Sequence, residues 1–417
     1  MRQESMRELA DTRSAERAVD RPQGRGIILG SITVSHTVSH FMHQSFLVIL
    51  PALRDALGID ALQVGALMSV REIASGVSAL PGGIVCDRYK RHWGRVMALC
   101  LGAFALGWIG VALSANFAVL AAAMMVVAIS ASVWHLPSMA ALSYHYSERR
   151  GTALSIYGIG GSAGDVLGPV LTGFMLAYLS WRGVLSLYAA VPLLLALVTL
   201  WALRDVGPQE ETVRATGGLR VQLRQAVALM RTPALWRINI VSGLHGMCYQ
   251  IFTTFLPLYL ADELGFDAQA IGLHLGLLFT LGIVVSPLFG YLSDRWNRKV
   301  ILVPLFFMSA LLSLGLVFYG RGLALTGIIA LLGVALRSDY SILSAAALDL
   351  VGHGTATTTL GVLSFTRFAM AALAPLIAGA LYDRWGMAPL LYLITGLFMV
   401  ATLVLLGTRL PKAAAQE

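Results

Sequence analysis

Twelve stretches of this chain are each apolar over the roughly 20 residues a helix needs to cross the hydrocarbon of a bilayer. They cover residues 26–52, 62–86, 94–113, 117–146, 151–179, 184–203, 235–260, 269–290, 299–319, 323–349, 355–381 and 388–408. In lipid every backbone N–H and C=O must be bonded within the protein, so segments of this length can cross only as helices. The expected fold class is all-α integral membrane, with twelve transmembrane helices. Composition agrees, since 57% of the 417 residues are hydrophobic and 12% are charged, against about 25% charged in soluble domains.

The side on which the charges fall sets the orientation. Three of the 30 Lys and Arg (Arg71, Arg337 and Arg367) lie deep inside spans, and four (Arg54, Arg182, Arg321 and Arg384) lie in loops on one side; the rest fall on the other side, at the span ends that face it, or in the tails. By the positive-inside rule both termini and the central loop are expected to be cytoplasmic, in the inner (plasma) membrane of a bacterium. Residues 1–25 hold six arginines, five acids and no apolar core, and are expected to be a solvated cytoplasmic tail rather than a secretory signal. The formal net charge of +8 then belongs to loops lying against anionic head groups, and no nucleic-acid partner is needed to explain it. Cys86, Cys100 and Cys248 fall within or at the ends of spans and suggest neither a disulfide framework nor a zinc spacing.

The sequence repeats itself. Gly83, Asp87, Arg88 and Arg91 in GGIVCDRYKR recur 207 residues later as Gly290, Asp294, Arg295 and Arg298 in GYLSDRWNRK. Arg150 to Ala153 are echoed by His353 to Ala356 at an offset of 203. The domain organisation read from this is a six-helix half over 26–203, a cytoplasmic linker over 204–234, a second six-helix half over 235–408 and a short tail over 409–417.

The repeated G-x-x-x-D-R-x-x-R, after both the second and eighth of twelve helices, resembles the major facilitator superfamily of secondary transporters, and the resemblance covers nearly the whole chain. It implies two six-helix pseudo-repeats and a gate on the cytoplasmic side. Glycine permits close helix approach, the aspartates can face the positive N-terminus of a neighbouring helix, and the arginines can pair with carboxylates. The gate residues are then Gly83, Asp87, Arg88, Arg91, Gly290, Asp294, Arg295 and Arg298, with Glu148 as a partner for Arg88 or Arg91. SHTVSH in the first span and SVWHLPS in the fourth are similar to the fosmidomycin-resistance-type branch, whose members are associated with drug efflux. Gly164, Gly168, Pro169 and Gly173 resemble the glycine-proline motif in the fifth helix of antiporters.

Polar groups inside spans mark the candidate site, because they are costly unless they face the bundle interior or a watery cavity. His36, His40 and His43 follow the i, i+4, i+7 spacing that places residues on one helix face, with Thr33 and Gln44 beside them. His135 sits beside Pro137 at mid-depth of the fourth span. The seventh span carries His245, Tyr249 and Gln250, and the eighth carries His274. Intramembrane charge balances, with Arg71, Arg337 and Arg367 against Glu72, Asp165 and Asp339, so three internal ion pairs are one reading. The other is a site: His36, His40, His43, Arg71, His135, Tyr249, Arg337 and Arg367 for substrate, and Glu72, Asp165 and Asp339 for proton coupling. Asp165 has no cation in its own span, so its partner has to be a proton, another helix, or both.

No phosphate-cradling loop, nucleophile motif, metal-ligand spacing beyond the histidine row or ATP-binding motif is present, so an enzyme is not expected and no cofactor is required. The expected activity is proton-coupled secondary transport by alternating access, exporting a small anionic or zwitterionic organic compound or drug. The expected partners are that substrate, protons and the lipid bilayer, with the protein acting as a monomer. Import of a small organic acid is one alternative; a metal permease or metal-responsive membrane sensor using the first-span histidines is another, since neutral imidazoles are common ligands of divalent ions.

Overall fold

A computed structural model of the chain describes residues 22–203, 206–208, 232–351 and 356–410. Most of both tails, most of the expected linker and the His353–Thr355 echo lie outside the described residues, as do the side chains of residues 22, 23, 80, 338–340, 351 and 356–358. The long helices are α1 (Pro22–Leu57), α2 (Ala61–Arg88), α3 (Trp93–Leu113), α4 (Phe117–His145), α5 (Arg150–Met175) and α6 (Trp181–Ala202), then α7 (Pro233–Asp262), α8 (Ala268–Arg295), α9 (Arg298–Tyr319), α10 (Gly322–Val351), α11 (Ala356–Trp385) and α12 (Met387–Leu406). All twelve expected spans coincide with these helices to within five residues at each end.

Local chemistry explains several boundaries. Asp60 caps α2 and forms a reciprocal capping box with Gln63, which satisfies two of the N–H groups that a helix start leaves orphaned. Asn116, Ser180, Asp267 and Asn297 cap α4, α6, α8 and α9 with their side chains. The cap at Ser180 starts α6 at Trp181, three residues before the expected span. Gly386 makes the turn from α11 to α12 at φ 71, a conformation that L side chains rarely adopt.

Eight helices, α3, α4, α6 and α8 to α12, are long and apolar enough to cross a membrane by length and composition. The four that fall short, α1, α2, α5 and α7, all carry polar residues singled out above: His36 and His40 on α1, Glu72 on α2, Asp165 on α5, and His245, Tyr249 and Gln250 on α7. Outward faces are apolar. On α3, Leu99, Leu106 and Leu113 are exposed at heptad spacing, while Phe104 and Trp108 point into the core, as expected of a helix that presents one face to lipid and one to its bundle.

The packing carries the repeat. In the first half α1 lies on α5, α2 on α4, α3 on α4 and α6; in the second, α7 lies on α11, α8 on α10, α9 on α10 and α12. Shifting helix number by six maps one set onto the other. The contacts between halves follow the same rule, with α2 on α11 and α5 on α8. The chain therefore has two six-helix pseudo-repeats.

Candidate substrate and coupling site

Glycine on α5 lets α1 come close enough for its polar face to reach Asp165. A Cβ at Gly164 or Gly168 would overlap the backbone carbonyl of Thr37 or Phe41, and one at Gly161 would stand 2.5 Å from His36 Cε1. Small residues at such spacing are the usual means by which membrane helices pack tightly.

Asp165 is 1% exposed and stands where the halves meet. His40 Nδ1 is 2.8 Å from its Oδ1, and Gln44 Nε2 donates to the same oxygen at 3.0 Å. Arg337 Nη1, from α10 in the other half, lies 2.9 Å from Oδ2. The guanidinium of Arg337 is also near the Tyr249 hydroxyl on α7 and lies 5.9 Å from the Phe279 ring centre on α8. Gly282 and Gly333, whose own close contacts bring α8 and α10 together, set the depth of Arg337. A carboxylate buried this deeply persists because it is paired and hydrogen-bonded.

Beside it the imidazoles gather. His36 and His40 on α1 and His135 on α4 have ring centres 4.5 Å (36–40), 5.1 Å (36–135) and 6.3 Å (40–135) apart. Tyr157 of α5 is a neighbour of His36 and His135. Its ring stacks on His36 at 3.7 Å, its carbonyl oxygen accepts from His36 Nδ1 at 2.8 Å, and its hydroxyl lies 2.6 Å from His135 Nδ1. His43, grouped with the other two by spacing, turns instead to Phe104 and Trp108 on α3, with ring centres at 5.5 and 6.1 Å. A face shared along one helix still splits between neighbours when different helices pack against it at different depths.

The other described intramembrane charges have partners of several kinds. Glu72 accepts from Gln250 Nε2 at 3.1 Å, a link from α2 to α7 between the halves. Arg71 is half-buried and forms no ion pair with another described residue; it lies near His43. Arg367 reaches Gly246 of α7 with its side-chain stem. His245 is buried near Phe306 and Phe398, and His274 bonds to the Ala270 carbonyl and Thr326. The side chain of Asp339 lies outside the described residues.

The two faces of the bundle differ. At the face away from the chain ends, Arg54 at the end of α1 makes a two-bond pair with Asp262 at the end of α7, at 2.5 and 2.8 Å. Tyr382 donates to the same carboxylate at 3.2 Å. Asp383, at the end of α11, accepts from the backbone N–H groups of Ala61 and Leu62 at 2.8 Å each, so one half caps a helix of the other. Pro375 and Gly65, Gly379 and Ala61, and Gly173 and Gly272 also pack backbone on backbone there.

At the face with the chain ends, Gly83 and Gly290 have nothing near their Cα hydrogens, and Asp87, Arg88 and Arg91 are exposed. Arg298 pairs with Asp294 and with Asp349 at 3.0 Å, within its own half. Glu148 is exposed on a short turn and lines a cleft with Arg25, His145 and Arg149; it pairs with neither Arg88 nor Arg91, against expectation. Among the described residues the close contacts between the halves thus gather toward the far face.

Asp383 was missed in the sequence, although Gly379-Ala-Leu-Tyr-Asp383-Arg384 is a third G-x-x-x-D-R. Arg54 and Asp262 carry no comparable motif.

Known proteins share this architecture. Over 401 residues the chain is 24% identical to the "Uncharacterized MFS-type transporter YfnC" of Bacillus subtilis, covering 94% of this chain and 95% of that protein. It is 26% identical over 289 residues to the fosmidomycin resistance protein of Escherichia coli, covering 66% and 67%. Among solved structures, the nucleoside transporter NupG matches with a TM-score of 0.75 at 16% identity, over 91% of this chain and 98% of that one. A bacterial homologue of the lysosomal transporter Spinster, captured inward-facing and unoccupied, matches with a TM-score of 0.73 at 15% identity, over 93% and 96%. The sequence profile of the Major Facilitator Superfamily matches residues 32–375, and with twelve helices in two matched sets around a polar interior, the chain belongs to that superfamily of secondary transporters.

Proposed function

We propose that this protein is a proton-coupled secondary transporter that exports a small anionic or zwitterionic organic compound across the bacterial inner membrane. The observation that carries this reading is the Asp165–Arg337 contact, a buried ion pair at 2.9 Å between the two halves. An anionic substrate entering from the face with the chain ends competes with Asp165 for the planar donor fork of Arg337. Once released from its cation, the buried carboxylate is driven to take a proton, because burial disfavours the charged form. The contact of His40 with Asp165 supports His40 as the group that passes that proton on. Substrate and proton thus exclude one another at one pair of residues, which is the condition for opposed fluxes to be coupled. Kinship with a fosmidomycin resistance protein supports export of an anion.

In this reading the face with both chain ends is cytoplasmic and stands open. Gly83, Asp87, Arg88, Arg91, Glu148, Gly290, Asp294, Arg295 and Arg298 form its gate, with Asp87 capping a helix of the other half when the gate closes. Asp87→Asn should therefore hold the protein inward-open and lower transport severalfold without changing membrane insertion. Labelling of single cysteines from the periplasmic side tests this; an unchanged labelling pattern with unchanged flux would remove Asp87 from the gate.

Arg→Lys at 337, 71 and 367 tests the anion. Lysine keeps the charge but loses the two-bond fork, so Arg337→Lys should weaken substrate binding by about tenfold or more, a lost charge-assisted hydrogen bond being worth roughly 1.5–3 kcal/mol. Binding can be scored by ligand-dependent thermal stabilisation of the purified protein. Parental affinity in all three lysine variants would refute an anionic substrate.

A further inference from the structure

We infer that His36, His40 and His135 form a binding site for one divalent first-row transition-metal ion of the Zn²⁺ or Co²⁺ class, with at least one coordination position left open. This goes beyond the transport reading and does not depend on it. One ring nitrogen from each of the three residues lies within 4.8 Å of the others. Around an ion with metal–nitrogen bonds of about 2.0–2.1 Å, tetrahedral ligands stand roughly 3.4 Å apart. Ring rotations that close the gap by an ångström or so are enough to reach that geometry.

The hydrogen bonds around the rings leave nitrogens free for an ion. A backbone carbonyl only accepts, so the His36 nitrogen facing Tyr157 O, Nδ1, carries the hydrogen. A carboxylate held by an arginine is ionised and only accepts, so His40 Nδ1 also carries one. In the neutral rings the lone pairs then lie on Nε2 of both residues. Metal-binding histidines typically donate their other N–H to a carbonyl or carboxylate, which fixes the tautomer and ring orientation and makes the ligand more basic. His36 and His40 show one of each. His135 Nδ1 faces the Tyr157 hydroxyl, which accepts as readily as it donates, so the third ring can adopt the same tautomer.

Three imidazoles and no thiolate suit borderline ions such as Zn²⁺, Co²⁺, Ni²⁺ and Cu²⁺ rather than Mg²⁺ or Ca²⁺, which prefer oxygen. Three protein ligands leave the fourth position for water or an incoming anion. The spacing of the α1 histidines alone points to a different set, because His43 faces α3. The third ligand comes from α4.

The test is calorimetric titration of the full-length protein, purified in detergent without an oligohistidine tag, with ZnCl₂ and separately with CoCl₂. Binding of one ion per chain is expected, with the visible absorption of tetrahedral Co²⁺. His40→Ala and His135→Ala should each abolish it, while His43→Ala and His274→Ala leave it intact. Asp165→Asn, which removes the partner of His40, should weaken it by about 10- to 100-fold. Melting curves without metal show whether each variant is folded. MgCl₂ should give no heat. Absence of saturable one-to-one binding by the unmodified protein overturns the proposal whatever the variants do, as does binding that survives in folded His40→Ala and His135→Ala or is lost in folded His43→Ala.

Discussion

Asp165→Asn is expected to abolish transport driven by an imposed pH gradient while exchange of labelled substrate at equal pH on both sides continues. Asparagine imitates the protonated carboxyl permanently. Under the proposed coupling, exchange needs only the conformational cycle with substrate bound, whereas net transport needs the proton to come and go. The same substitution leaves Arg337 beside a neutral partner. Breaking a fully buried pair costs about 3–5 kcal/mol, and with the Arg337 side chain 24% exposed, the loss here should be smaller and visible as a lowered melting temperature. Reconstituted vesicles with the pH gradient imposed or collapsed separate the two fluxes. Gradient-driven transport at parental rates in the variant would exclude Asp165 and direct attention to Glu72, which is buried and linked to Gln250 of the other half.

The helices were legible because lipid demands long apolar runs, and those leave an unmistakable trace in sequence. Their ends could be read only roughly, because caps such as Ser180 and the capping box at Asp60 act over a residue or two. Asp165 was legible as the acid needing a partner from another helix. Which helix was not: Arg337 is 172 positions away, Arg367 is 202 away and so close to the repeat offset of 203, and Asp339 stands two residues from Arg337. Only the packing of α5 on α8 and of α8 on α10 decides it, and that packing is set by glycines whose contacts are not encoded in spacing. The same limit explains His43. A spacing of i, i+4, i+7 names a face, but His36 and His40 meet α5 and α4 while His43 meets α3. Asp383 was overlooked for a different reason: its motif copies the gate motif but falls on the opposite side of the membrane, where such a motif was not sought.

Asp383→Ala is expected to shift the resting equilibrium toward a state open at the far face, by about 2- to 30-fold. The carboxylate accepts two of the orphan N–H groups at the start of α2, work that a capping side chain performs for about 0.5–2 kcal/mol, with the positive end of the α2 dipole adding to it. Asp383 belongs to α11 and the N–H groups to the other half, so the bonds exist only while the far face is shut. A contact made in one of two states biases their ratio by its whole free energy, with 1.4 kcal/mol for each factor of ten. Because Asp60 already caps α2 from within its own half, the helix should survive the substitution. Arg54→Gln removes the neighbouring pair with Asp262, whose carboxylate is 28% exposed, and partly solvated pairs contribute less; its shift should be smaller, and the double variant should exceed either. A cysteine placed at Val170, which packs against Gly276 between α5 and α8, reports the opening through its labelling rate with a membrane-impermeant maleimide applied from the far side. Faster labelling in Asp383→Ala, reversed when Asp87→Ala is added to weaken the opposite gate, is the expected pattern. Labelling at the parental rate in the single variant would mean that Asp383 only finishes a helix end and does not hold the halves together.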